Sequence, residues 1–292
     1  KALKTNTTQS NNTAIGSHAL NVATASNNTA VGYSALFSTT TGTNNVAVGS
    51  SALSNNQTGG QNTGVGGNAL DANNTGSNNT GLGFDALGGN TSGNNNVAVG
   101  RQSLMVNTTA SSNTAVGYAS LDANTTGTRN TAIGDNALGG NTTANDNTAV
   151  GRSALLANTT GTRNVAVGAN ALDANTTAND NSAFGYNALT SNITGLNNVA
   201  VGASALENAN ITNNNVAVGS RALKQLTSGL NNTALGMGAL QATTTGESNV
   251  AVGVSALNAN TTASYNTAVG RDALLSNTTG TNNVAVGYQA LD

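Results

Sequence analysis

The sequence predicts an all-β protein, a parallel β-solenoid (β-roll) of 17 coils with a 17-residue repeat. Three observations carry this. A Gly closing an Ala-Val-Gly-like triplet recurs at positions 16, 32, 49, 66 and onward to 287, with one step of 16 residues and then fifteen of 17. So strict a period is the signature of a stack in which each repeat forms one coil. The residues around the triplet alternate with period two, as strands do. Proline is absent, which suits a chain whose backbone N–H groups are mostly needed as donors. A helical solenoid is the rival and fails, because its units need roughly 30–45 residues. Gly, Asn, Thr and Val, all weak helix formers, fill the periodic segments here.

The columns of the repeat can be taken in chain order. Four residues before the Gly stands Asn in every coil, from Asn12 through Asn45 to Asn283. In-register stacking predicts that this column forms a hydrogen-bonded amide ladder. Three before the Gly the chain carries Val or Thr, as in Val46 and Thr63, with Ser182 once. Two before is Ala, except Gly64 and Gly81, and one before is Val or another large apolar residue, as in Val48 and Phe184. Gly49 and its equivalents should allow a bend or positive φ at the coil corner. Leu follows four residues later in every coil, as at Leu53. Segments such as 124–127 and 277–280, "NTTG", read as turns.

Alternation places Val46 and Val48 on one face of the strand, Asn45 and Ala47 on the other. The largest apolar groups, Val48 and Leu53, are expected in the coil interior. The Ala column, exemplified by Ala47, Ala98 and Ala166, is then expected at a second interface, where small side chains let another backbone approach. That predicts a homotrimer or other parallel bundle. The opposite assignment, with Ala and Asn filling a narrow interior and Val facing elsewhere, stays open on the sequence alone.

No gap or composition shift divides residues 1–292, so they read as one continuous array. Its first and last letters, "KAL" and "QALD", fall at the same phase of the repeat. Solenoids normally carry caps, so a segment of a longer fibre, or end-to-end filament contacts, is expected.

Leu, Ile, Val and Phe together make up under a fifth of the chain, net charge is −2 and cysteine is absent. No basic patch offers a phosphate backbone its counterions, which argues against nucleic acid as a partner. No apolar run approaches the roughly 20 residues that span a bilayer, so no membrane insertion is expected in this segment. The single histidine, His18, stands at a freely varying position and reads as a solvated side chain. No zinc set, triad or calcium-binding nonapeptide is present, so neither enzymatic activity nor a cofactor nor a metal is expected. One charge pattern stands out: Arg129, Asp146, Arg163 and Asp180 occupy the same column in successive coils. Stacked in register, they would form a ladder of alternating sign along one edge, useful for fixing register. Tyr33, Phe84, Tyr118, Tyr186 and Tyr288 all directly follow the Gly and should share an outer stripe.

The units "NTAVGYSAL" (28–36), "NTAIGDNALGGNTTAND" (130–146) and "NVAVGYQAL" (283–291) resemble repeats of bacterial and viral tail-fibre-domain proteins. They are also similar to the head repeats of trimeric autotransporter adhesins. The resemblance implies a trimeric parallel β-roll, exposed at a cell or virion surface, and a role in attachment. The expected function is therefore a non-enzymatic fibre shaft or surface filament, extracellular or on a virion, whose partner is a cell-surface glycan or receptor. The competing expectation is an ice-binding β-solenoid presenting ranks of Thr hydroxyls.

Overall fold

The computed structural model describes residues 1–4 and 8–292. The chain divides into two compact units, Lys1–Asp146 and Asn147–Asp292. The first contains eight three-residue strands, from β1 (Thr13–Ile15) to β8 (Thr131–Ile133). The second contains nine, from β9 (Thr148–Val150) to β17 (Val284–Val286). Within each unit successive strands pair in parallel and in perfect register, Val46 with Thr63 and Val48 with Val65 in the first, Val199 with Val216 in the second. Each unit is thus a parallel β-solenoid with a 17-residue repeat, and no helix occurs among the described residues.

Strands of three residues cannot hold such a stack alone, and the remaining backbone takes part. The Leu70 N–H donates to the Ala86 carbonyl at 3.0 Å and the Asn74 N–H to the Thr91 carbonyl at 2.9 Å, both one coil away. Turns therefore stack as strands do.

The repeat works by twisting the chain at fixed places. Each coil bends where φ turns positive: five residues before the Gly, at the Gly, and two and four residues after it. In one coil these are Asn95 (φ 58°), Gly100 (131°), Gln102 (58°) and Leu104 (51°). Only glycine adopts a φ near 130° without strain. Space adds a second reason, since a Cβ on Gly100 would collide with the Gly117 carbonyl of the next coil. The left-handed conformation at Leu104 costs about 1–2 kcal/mol for an L-residue. It is offset because Leu104 is fully buried in the coil, which contributes about 1.5–3 kcal/mol.

The interior corrects the expected assignment of faces. Ala47, Ala98 and Ala166 are completely buried inside their own coils, so they present nothing to a second chain. Val48 is not an interior residue. It lies half-exposed on the outer face of its strand, beside an exposed Val46. Leu53 is fully buried, as expected, and Asn45 is buried inside the coil together with Ala47, on the face that was expected to lie outside it. The cause is the width of the coil. Where glycine replaces the inward residue, at Gly64, a Cβ would already sit 3.4 Å from Leu53 of the preceding coil and 3.2 Å from the Ala69 carbonyl. Leu thus fills the space opposite the strand, and no side chain larger than Ala fits there at native density.

Candidate functional site

Two amide columns line the coil interior, the first in every coil and the second in most of them. In the first, Asn62 donates its backbone N–H to Asn45 Oδ1 (2.9 Å) and its side-chain Nδ2 to the Gly76 carbonyl (2.8 Å). Asn215 in the second unit repeats this, with Asn198 Oδ1 at 3.1 Å and the Gly229 carbonyl at 3.1 Å. The expected ladder exists, but its main bonds join side chain to backbone. It satisfies buried N–H and carbonyl groups that the three-residue strands leave over.

The second column was hidden in the segments read as turns. Asn73 donates to Asn56 Oδ1 at 2.7 Å, Asn90 to Asn73 at 2.7 Å and Asn107 to Asn90 at 2.8 Å. Each also reaches the carbonyl three residues on, as Asn90 does with Gly93 at 3.1 Å. These asparagines are fully buried. The signal was present in the sequence as an Asn seven residues after most of the repeat glycines, with Gly or Ala three beyond it.

The outer surface holds the remaining candidates. Side chains three and one residues before the Gly form a row of Thr, Val and Ile on the outer face of each unit. Their exposure ranges from half-buried, as at Val65, to open, as at Ile133. Tyr33, Phe84, Tyr118, Tyr186 and Tyr288 are all exposed, as the stripe predicts. The Arg101 guanidinium lies 5.8 Å from the centre of the Tyr118 ring.

The charged column forms forked pairs between neighbouring coils. In the first unit Arg129 Nε lies 2.6 Å from Asp146 Oδ1 and its Nη2 3.1 Å from Oδ2. In the second, Arg163 makes the same fork to Asp180 at 2.7 and 3.0 Å. The hydrogen bonds that Arg129 donates to Asp146 hold its pKa above the ordinary value, and those that Asp180 accepts from Arg163 hold its carboxyl below its own. Both pairs stand in solvent, where such contacts contribute little to stability. Two other carboxyls, Asp71 and Asp122, are pushed upward, chiefly by partial burial.

His18 does not stand free in solvent. It is half-buried, with its ring 5.9 Å from that of Tyr33 at 84° and 6.2 Å from that of Phe37 at 61°. Among the described residues, no three His, Cys, Asp or Glu side chains gather as metal ligands would. No described helix is long and apolar enough to cross a membrane. No protein-family model matches the chain, and no curated protein matches it either.

Proposed function

We propose that the chain is a non-enzymatic structural element, a shaft or surface filament of an extracellular or virion fibre that serves attachment. The observation that carries this reading is the outer strand face. In every coil it shows side chains at the two outward positions that are mostly β-branched, such as Thr114 and Val116, stacked in register on those of neighbouring coils. A parallel sheet face of Val, Ile and Thr is built to be covered. A second and third copy of the same chain would cover it with an identical repeat, so the reading is of a homotrimer joined through the Val faces. The partners at the distal surface are then glycans or receptors of a target cell.

Mass measurement in solution tests the assembly. Light scattering should give three times 28.5 kDa, and a Val99→Lys, Val116→Lys double variant should give one chain with unchanged circular dichroism. A single-chain mass for the unaltered protein would overturn the trimer. Gold-labelled antibody against the chain should decorate surface fibres of its source, and labelling confined to the cell interior would overturn the location. One observation favours a second reading, an ice-binding face. Thr63, Thr80, Thr114 and Thr131 share the outer face with the Val column, although Val46 and Val97 interrupt the rank. Strong inhibition of ice recrystallisation would select it.

A further inference from the structure

A groove of about 460 Å³ opens on the outside of the first coils, beside the ring cluster of His18, Tyr33 and Phe37. It lies between two columns of the repeat, those two and five residues after the Gly. Residues of the first column all have positive φ, as at His18 (63°), Ser34 (54°) and Ser51 (57°), and the second supplies Asn21, Phe37 and Ser54. The volume falls within the roughly 300–1,000 Å³ of small-molecule sites.

We infer that this groove binds a saccharide. A pyranose has an apolar C–H face and a rim of hydroxyls, and each finds a counterpart here. Tyr33 is 59% exposed and offers a ring face held by the edge-on packing of His18. Phe37, half-buried, supplies a second ring. Aromatic rings present a large rigid apolar surface at small entropic cost.

Apart from His18, the polar side chains that line the groove are serines and asparagines, which can bond the hydroxyl rim of a sugar. Among the described residues none bonds the Ser34 or Ser51 hydroxyl, and each hydroxyl can donate one bond and accept others. Asn55 gives its Nδ2 to the Asp71 carbonyl at 2.9 Å, which leaves its Oδ1 as an acceptor beside the groove. Neither a carboxylate nor a lysine nor an arginine lines it. An apolar ligand would strand these hydroxyls.

The repeat supplies an internal control. The same columns make a hollow of about 330 Å³ in the second unit, lined by Arg221, Met237 and Gln241 and containing no ring. Of these two hollows, only the first offers a ring on which a sugar can stack. This inference rests on the attachment reading, whose partners include glycans, but fails separately from it, because a trimeric mass is measured without any ligand.

The test is saturation-transfer NMR on the full chain with methyl glycosides of glucose, galactose, mannose and N-acetylglucosamine, and with adenosine monophosphate. At least one glycoside should receive magnetisation, strongest on its ring C–H protons. Tyr33→Ala, at an exposed position that leaves the coil interior untouched, should weaken that binding at least tenfold. Phe37→Ala should do the same, and Met237→Ala should change nothing. The inference is overturned if no glycoside binds, if Tyr33→Ala with an unaltered melting curve binds equally well, or if the nucleotide binds best.

Discussion

The second amide column begins only at Asn56 in the first unit, after Ala23 and Thr39 at the same position, and then runs unbroken to Asn141, whereas in the second unit it is broken midway at Ala209, Leu226 and Thr243. The first column is Asn throughout both units. The difference lies in what each side chain alone satisfies. In the first column, Asn Oδ1 is the acceptor for the next coil's Asn N–H, and no backbone carbonyl takes that role. In the second, the carbonyl three residues on already has a donor. The Thr212 carbonyl receives Asn198 Nδ2 at 2.7 Å and the Gly246 carbonyl receives Asn232 Nδ2 at 2.9 Å, with no second-column Asn in either coil. Redundant bonds can be lost, and sole bonds cannot.

The broken stretch also shows local compensation. A Cβ on Gly93 would meet Asn90 Oδ1 at 2.5 Å, so a small residue normally follows the ladder Asn. Where Ala209 replaces that Asn, Thr212 occupies the space. Bulky Leu226 is followed by Gly229. Asn192, the last rung before Ala209, keeps a buried Oδ1 with no partner, and Thr212 a buried Oγ1 likewise.

These contrasts can be broken in order of expected effect. Asn96→Ala orphans the buried Asn113 N–H and removes a donor from the Ala110 carbonyl. It should cost about 2–5 kcal/mol in urea unfolding. Asn90→Ala should cost less, about 1–2 kcal/mol, because Asn107 keeps the Ala110 carbonyl and only Asn73 Oδ1 is stranded. Equal costs would end the distinction between sole and redundant bonds. Ala209→Asn combined with Thr212→Gly should restore the rung and stabilise the protein by about 1 kcal/mol. Ala209→Asn alone should gain less, since Thr212 then crowds the new side chain; additivity in a double-mutant cycle would contradict that coupling.

The smallest effect concerns pH. Burial raises the Asp122 pKa above its ordinary 3.8, so the folded state holds this proton more tightly than the unfolded one. Stability from this group therefore falls as pH rises from 3.8 through the raised value. Asp180 has the opposite sign. Its pKa is lowered by Arg163, and the stability it contributes is present above the ordinary value and lost as pH falls through the lowered one. Asp122→Asn should flatten the decline in urea midpoint as pH rises above 3.8, and Asp180→Asn should remove a small loss on the acid side. An unchanged profile in Asp122→Asn would show that burial leaves its titration untouched.

Much of the fold was legible because period and register are properties of the chain itself. The spacing of Gly16 to Gly287 sets the coil, and repetition of Asn45 or Leu53 marks a position that stacking makes identical in every coil. The forks of Arg129 with Asp146 and Arg163 with Asp180 were legible for the same reason. The face of Val48 was not. Alternation separates Val from Ala, yet it cannot say which of two apolar sets faces inward. Hydrophobic size pointed to Val, whereas the space left by Leu admitted Ala alone. His18 misled in a similar way, since its shelter comes from Tyr33 and Phe37 of the following coil.

The sequence by itself determined a parallel β-solenoid, its 17-residue coil, the columns that stack and the glycine each corner requires, because a periodic chain repeats its own constraints. Tertiary structure alone decided what lies inside. The width of a closed coil is fixed by how its corners meet, and that width put Ala, Leu and two ranks of asparagine within and left the valines outside.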